Sequence, residues 1–529
     1  MTVRGAGEIG AGLAPARTAR PIVAGERIHV VGAAGAGASA AALLAAWAGA
    51  VVDGCDPGGA SQYTPALEAV GVAVAPGHDA AHVRRSPSPA RLAVTKALTA
   101  VDPDHAELVA ARELGIPLEP WQQVVADAAA GRRLVAVAGT HGKSTSSGWL
   151  VHVLAEAGAD PGAFVGALLP AALTGIGVPA TARRGGGAPF VVEADEYAGN
   201  FDPYHPEVAI LTSAEWDHPD VFADRAAVLA AFEAWIRRAG EVHGGGDGAR
   251  VPVLVANVAD AGVAELAVRL ADWPGRIVAT ALVDVAPQRL GGYARGIAER
   301  FATAAGPADT LLGRVTAAER DATLLDITGL DPLAGPLPVR LRTAGRHNAA
   351  NALGVAGAAV AVGLGAAAVM TGLASFRGVG RRLERKGEAA GVVVYDDYGH
   401  HPTAIRETLA AVRQREPGRR AWAVYEPLTF HRTAALLDDF AEVLAGADAV
   451  AIADIWAGRD PDTTIASAEG LARAVASRAP GIPVAAPGSV EATARWLAGE
   501  VRSGDVVLVM GGGRSYRIGE LLLGHLASR

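Results

Sequence analysis

The chain is poor in cysteine, in charge and in uninterrupted apolar sequence, and each shortage removes a class of protein. Its single cysteine, Cys55 in 529 residues, rules out an internal disulfide framework and suits a cytoplasmic setting. Charged residues make up 19%, the net charge is -8, and there is no acidic or basic tail. A nucleic-acid partner held by bulk charge is therefore not expected. The stretch Ile28 to Val52 has no Asp, Glu, Lys or Arg and is long enough to cross a bilayer. Gly32, Gly35 and Gly37 break it near its start, and β-branched residues flank its ends. It reads as strand, glycine turn and helix, and no membrane partner is expected. The first 20 residues carry Arg4, Glu8, Arg17 and Arg20 and lack a signal-type apolar core. Residues 1–26 read as a loose N-terminal extension.

What is present is an alternation of strand and helix patterns, which predicts an α/β protein. Its length implies roughly two to four domains. The first, residues 27–130, opens with the strand Ile28-His29-Val30-Val31 and a glycine turn, as in a Rossmann-like βαβ unit. The turn, Gly32-Ala33-Ala34-Gly35-Ala36-Gly37, departs from the strict dinucleotide pattern. Asp56, after the second strand, is either a ribose ligand or a solvated turn residue. Leu92 to Leu98 reads as a further strand with a polar tip.

The second domain, residues 131–372, begins at the stretch that organises the chain. An apolar strand, Leu134 to Ala138, runs into Gly139-Thr140-His141-Gly142-Lys143-Ser144-Thr145 and then a helix. This is the order of a phosphate loop, although Val137 stands where the standard pattern has its first glycine. Backbone N–H groups in such a loop favour anions; Lys143 would neutralise phosphate and Ser144 can reach magnesium. A second strand ends in Glu193, Asp195 and Glu196, carboxylates placed to hold that ion. A third ends in Asp217-His218, where His218 is either a ligand for a second metal or a surface residue. The glycine-rich stretch 237–250 reads as a loop, and residues 280–340 as a small antiparallel piece. Asn257 ends a strand either to read a base or to cap a turn. Asn348 and Asn351, three apart and so on one helix face, have amides suited to reading adenine, with helix capping as the alternative.

The third domain, residues 373–529, starts with a basic stretch in which Arg381 and Arg382 either hold an anionic substrate or pair with carboxylates. Its strand Val392 to Tyr395 ends in Asp396-Asp397-Tyr398-Gly399-His400-His401, a candidate catalytic edge. No nucleophile stands beside its own base, so the phosphoryl acceptor is expected on a substrate. A carboxylate acceptor would give an acyl phosphate that an amine attacks.

Together Gly139–Thr145, Glu193–Glu196, Asp217-His218, Gly345–Asn351 and Asp396–Thr403 resemble the motifs of the Mur ligases of peptidoglycan synthesis. The set covers residues 27 to 520. The resemblance implies a three-domain architecture: a Rossmann-like domain for a UDP sugar, a central phosphate-loop ATPase and a Rossmann-like C-terminal domain for the amino acid. It implies ATP and Mg2+, with UDP-N-acetylmuramate and L-alanine as substrates, and a cytoplasmic monomer or homodimer. Lys143 would hold the γ-phosphate, Ser144 and Glu193 would ligate one magnesium, and His218 the other. Asn348 and Asn351 would read the nucleotide, and Asp397 would position ATP. His347 would lie near the substrate carboxylate, with Arg381, Tyr398 and His400 near the amino acid. Gly32, Gly35, Gly37, Asp56 and Lys96 would serve the UDP sugar. Several residues depart from the alanine-adding branch. Ala34 replaces a glycine, Ser144 a threonine and Leu428 a histidine, and Lys96 stands where that branch has a serine pair. Tyr197 and the segment Trp216 to Phe222 are closer to the branch that adds murein tripeptide.

Overall fold

The computed structural model describes residues 3–243, 250–285, 287–331, 333–458, 460 and 462–528. Three sheets follow one another along the chain. The first holds β1 (Arg27–Val31), β2 (Val51–Asp56), β3 (Ala73–Pro76), β4 (Arg91–Val94) and β5 (Leu118–Pro120). All pair in parallel in the order β3-β2-β1-β4-β5. The order reverses between β1 and β4, so the glycine turn after β1 faces the loop after β4 across a crevice. That is where open α/β sheets bind ligands.

The run Ile28 to Val52 is indeed strand, turn, helix α1 (Ala36–Trp47) and strand. No described helix is long and apolar enough to cross a membrane. Alanine and leucine, with Ser39, fill the buried positions of α1. Small side chains let this helix approach closely the strands on either side of it. One contact across the domain interface is Ser39 Oγ to Thr181 Oγ1, at 3.1 Å.

The central sheet has ten strands. They are β6 (Arg133–Ala138), β7 (Gly162–Leu169), β8 (Ala180–Arg183), β9 (Pro189–Glu193), β10 (Val208–Leu211), β11 (Val253–Asn257), β12 (Arg276–Leu282), β13 (Asp309–Glu319), β14 (Ala322–Thr328) and β15 (Leu337–Leu341). Their order is β15-β14-β13-β12-β11-β10-β6-β9-β7-β8. Strand β6 lies inside, between β10 and β9, and is apolar on both faces, as a buried parallel strand requires. The piece read as antiparallel is β13 to β15, and it extends this sheet rather than standing apart. Helices α2 (Lys143–Glu156) and α3 (Arg346–Ala361) pack together with the sheet around Val137, Leu150 and Val355, all fully buried.

The third sheet orders β16 (Glu384–Ala389), β17 (Val392–Asp397), β18 (Arg420–Glu426), β19 (Ala449–Ala453), β20 (Val484–Gly488) and β21 (Asp505–Gly511) as β16-β17-β21-β18-β19-β20. Only β16 is antiparallel to its neighbour.

Three local readings differ from the structure. The start of the chain is docked rather than loose. Ile9 is fully buried, and its carbonyl accepts from Thr99 Oγ1 at 2.7 Å. Arg17 pairs with Glu119 at 2.9 Å and Asp127 at 2.7 Å, carboxylates that the buried Arg91 also uses. These partners lie about a hundred residues away, beyond any local pattern. Strand β4 stops at Val94 because Thr95 caps a following helix, its side chain accepting from the Ala97 N–H. The glycine-rich stretch begins inside a helix, Arg225–His243, and its residues 244–249 lie outside the described ones.

Candidate active site

Strand β6 delivers the chain into a turn that only glycine accepts at two points. Gly139 has φ +124° and Gly142 φ +82°, in the left-handed region that L side chains avoid. A Cβ on Gly142 would also come within 2.6 Å of Asn351 Oδ1. The turn therefore brings α3 directly against the phosphate loop. Helix α2 starts at Lys143, so its free N–H groups and positive dipole end open into the cleft.

Lys143 Nζ donates to the Gly139 carbonyl at 2.6 Å and to Glu196 at 2.9 Å, with Asp195 at 3.8 Å. Burial works to lower its pKa; Glu196, Asp195 and Glu193 reverse this and leave it raised, so the ammonium is permanently charged. Ser144 Oγ donates to Glu193 at 2.9 Å, and the other Glu193 oxygen accepts from the Gly166 N–H at 2.6 Å. One donor atom from each of Asp195, Glu196 and His218 lies within 4.8 Å of the others. The hydroxyl and carboxylate donors form a hard, oxygen-rich set that fits magnesium, with one imidazole added. His218 has φ +56°, a costly conformation for a residue with a side chain, and its ring lies 5.0 Å from that of Tyr197.

The third domain closes over this loop. Arg432 donates to Asp217 at 2.7 Å, and its Nη2 stands 3.2 Å from His218 Nδ1. Both members of that ion pair are buried. Arg382 donates to Ser144 Oγ at 2.7 Å, and Thr403 Oγ1 donates to Glu215 at 2.7 Å. The rings of His141 and His401 lie 4.6 Å apart. A cleft of about 1320 Å³ results, to which all three domains contribute, among them Asp56, Lys96, Lys143, Asn351, Tyr398 and Arg432.

Some residues named from sequence meet here and others do not. Thr140, His141, Gly142, Lys143, Ser144, Thr145, Glu193 and His218 line the cleft together with His347, Asn348, Asn351, Asp397, Tyr398 and His400. Asn348 Nδ2 donates to the Ala344 carbonyl at 2.7 Å, which turns its amide oxygen toward Asn351. His347 Nδ1 stands 3.5 Å from Glu407. Asp397 organises its own turn, accepting from the N–H groups of Leu383 and Gly399, each at 2.7 Å.

Arg381 is a correction. Its guanidinium is consumed by Asp396 at 3.0 Å and by the Gly511 carbonyl and Ser515 Oγ at 2.8 Å each. It does not line the cleft; Arg382 does, and Tyr398 lies between the two arginines, its ring centre 5.0 and 4.9 Å from their guanidinium carbons.

In the first domain Gly32 and Gly37 line the cleft, while Gly35 caps α1. A Cβ on Gly37 would collide with the Trp121 ring, so packing alone demands glycine there. Asp56 accepts from the Ala34 N–H at 3.1 Å and the Gly58 N–H at 2.8 Å, which makes it a support of the turn. Lys96 donates to the Ala198 carbonyl at 2.6 Å, tying the first domain to the second. Asn257 donates to the Thr212 carbonyl at 2.9 Å, so it braces β10 as well as facing the cleft. Sequence reasoning gave no role to Arg432 or Glu215, whereas His401 belonged to the candidate catalytic edge. The only signal for Arg432 was its place four residues after Leu428, where the alanine-adding branch has a histidine.

Burial first, and His141 second, hold His401 down at about 4, although Asp217 and Glu215 pull the other way. Opening of the third domain is expected to relieve that burial and return it toward the ordinary value near 6.5. Between those values the open form binds more protons, so falling pH favours opening. The closed arrangement is expected to lose up to about 3 kcal/mol between pH 6.5 and pH 4. Fluorescence of Trp216, whose carbonyl faces His401 at 3.3 Å, follows this opening, and His401→Gln should flatten the profile.

A UDP-N-acetylmuramate–L-alanine ligase of Frankia casuarinae is 36% identical over 531 residues, covering 95% of this chain and 98% of its own. The chain belongs to the Mur ligase family. It is, as a member, an ATP-dependent amide ligase. The family's catalytic-domain model matches residues 27–133 and its glutamate-ligase-domain model residues 381–513. A Mycobacterium ligase of the same name (strain JLS) is 36% identical over 510 residues, 95% of this chain and 96% of its own. In fold, the chain superposes on the UDP-N-acetylmuramate-alanine ligase of Thermotoga maritima with a TM-score of 0.72. The identity there is 22%, over 95% of this chain and 99% of that one. It superposes on a murein peptide ligase of Psychrobacter arcticus with a TM-score of 0.67 and 23% identity, over 96% and 99% of the two chains. The three-sheet architecture is therefore that of this family of folds.

Proposed function

We propose that the chain joins L-alanine to the lactyl carboxylate of UDP-N-acetylmuramate, using ATP and magnesium. The observation that carries this reading is the closed cleft. A phosphate loop with Lys143, Ser144 and Glu193 is covered by Arg382 and Arg432 from the third domain, and a Rossmann-type turn opens into the same space. The curated relatives at 36% identity over nearly the whole chain carry that activity in their names.

In this reading ATP lies with its phosphates on the N-terminus of α2 and its base by Asn348 and Asn351. Ser144, Glu193 and His218 would hold magnesium, which supplies charge neutralisation on the phosphate oxygens. The sugar carboxylate attacks the γ-phosphorus. A C–O–P bond forms, the bond to the β-phosphate oxygen breaks, and ADP leaves. Lys143 and Arg382 stabilise the charge on the transferred group without reorganising. The alanine nitrogen then attacks the carbonyl carbon, the C–N bond forms, and phosphate leaves with the C–O electron pair.

That nitrogen must lose a proton, and in this reading His400 would take it. Its Nδ1 lies 3.0 Å from the Tyr398 carbonyl, which can only accept, so the ring proton is on Nδ1 and the Nε2 lone pair is free. Burial first and Arg432 second hold His400 well below the usual histidine range, so it is neutral at pH 7. Much of the rest is positioning in a closed cleft.

The test is ATP-dependent phosphate release with UDP-N-acetylmuramate and magnesium, scanned over L-alanine, L-serine, glycine and murein tripeptide, with the product weighed. An adduct with L-alanine supports the reading. An adduct with the tripeptide alone moves the chain to the tripeptide-adding branch.

The two neighbouring arginines should separate cleanly. Arg382→Ala is expected to lower kcat by about 10²-fold with little change in Tm, because one preorganised cation is lost. Arg381→Ala leaves Asp396 buried without its partner and should cost about 3–5 kcal/mol of stability. Equal effects on kcat and Tm for the two variants would refute this division.

A further inference from the structure

The ligase reading leaves unused a polar cluster in the first domain, beside the glycine turn. His29 comes from β1, Cys55 from the end of β2, His82 from the short helix Ala81–Arg84, and Glu107 from the first turn of the helix Ala106–Glu113. His29, Cys55 and Glu107 are at most 1% exposed. One donor atom from each of the four lies within 4.8 Å of all the others. His82 Nδ1 is 2.6 Å from Glu107, Cys55 Sγ is 3.2 Å from both its oxygens, and His29 Nε2 is 3.8 Å away.

His29 is the informative member. Its Nδ1 meets Asp53 Oδ1 at 2.6 Å, and Asp53 is itself paired with Arg85. A carboxylate on Nδ1 fixes the ring proton there and turns the Nε2 lone pair inward. Nε2 is buried and has no hydrogen-bond partner. A carboxylate behind one nitrogen with the other aimed into a donor cluster is the arrangement that orients metal-binding histidines.

We propose that the first domain carries a zinc site formed by His29 Nε2, Cys55 Sγ, His82 Nδ1 and the Glu107 carboxylate. Two imidazoles, a thiolate and one carboxylate suit zinc and not magnesium or calcium, which take oxygen. Tetrahedral zinc, with bonds of about 2.0–2.3 Å, sets its donors roughly 3.3–3.7 Å apart. The separations from Glu107 to the other three donors, 2.6–3.8 Å, straddle that spacing, and all four donors lie within 4.8 Å of one another. Four elements of the domain would be tied at one point. The Cys55 carbonyl accepts from the N–H groups of Gly32 and Ala33 at 2.9 and 3.0 Å, so the metal would also steady the glycine turn. His78, whose Nδ1 is 3.1 Å from Cys55 Sγ, is the nearest further imidazole on that thiol.

The chain has one cysteine, so a thiolate-to-cobalt charge-transfer band can report only Cys55. The full-length protein is stripped with chelator and titrated with Co2+, then with Zn2+. The expected result is a near-ultraviolet band that saturates at one equivalent of cobalt and is bleached by one equivalent of zinc. Cys55→Ser should show no band. His82 has a partly exposed side chain, so His82→Gln should fold. It is expected to bind zinc at least about 10-fold more weakly and to lose the zinc-dependent rise in Tm. Absence of the band in folded wild-type protein would overturn the site, leaving His29 as a protonated partner of Glu107. Equal zinc affinity in wild type and His82→Gln would overturn it too.

Discussion

Lys143→Met is expected to abolish ADP and phosphate formation, with kcat lowered by at least about 10³-fold. The ammonium is the one lysine on the phosphate loop, and three carboxylates, Glu193, Asp195 and Glu196, hold it charged against burial. Methionine keeps the length and removes the charge. The transferred phosphoryl group then faces those carboxylates with less to balance them. Glu196, 2% exposed, loses its cation. A buried carboxylate left in this way costs about 3–5 kcal/mol, so Tm should fall as well. Phosphate release and a thermal melt must therefore be read together. Lys143→Met with Glu196→Gln should recover stability without recovering turnover. If turnover returned with stability, the lysine would be a structural counter-ion and not part of the chemistry.

The second large effect is expected at Arg432. Arg432→Ala removes the buried pair with Asp217 across the boundary between the second and third domains. Asp217 is 4% exposed in the closed form and is held far below the usual carboxylate range: burial opposes this, but Arg432 and His218 outweigh it. In the open form water can reach it. The cost of about 3–5 kcal/mol for an orphaned buried charge thus falls on closure, not on the folding of either domain. Solution scattering should show a more extended molecule, and kcat should drop by about 10²–10³-fold as the competent form is depopulated. The Tm of the domains should change little. Asp217→Asn with Arg432→Ala should be less damaging than the sum of the two, by more than about 1 kcal/mol in the cycle. Additive losses would mean that the pair does not act as a unit.

The phosphate loop was legible because its chemistry is local. A buried strand, two glycines in positive φ, a lysine and a hydroxyl within seven residues state a site whatever surrounds them. The strand-end carboxylates Glu193 and Glu196 were legible for the same reason, since a parallel sheet puts every such end on one edge. The Asn348 and Asn351 pair followed from helical period. Arg381 and Arg382 show where this stops. Adjacent residues of the same type look alike in sequence, yet a positive φ at Arg381 (+56°) turns it into the third sheet, while Arg382 reaches Ser144.

The sequence by itself determined the succession of α/β units, the phosphate loop with its acidic strand ends, and membership in the Mur ligase family. Each is written in short-range pattern or in motif order. Only the tertiary structure decided which groups meet across domains. Arg382 is 238 residues from Ser144, Arg432 is 215 from Asp217, and Arg17 is 110 from Asp127. The cluster around Glu107 likewise joins four elements whose donors carry no common spacing. Such contacts depend on how sheets stack and how far a domain closes. Those are set by burial summed over the whole chain, and no local run of residues records them.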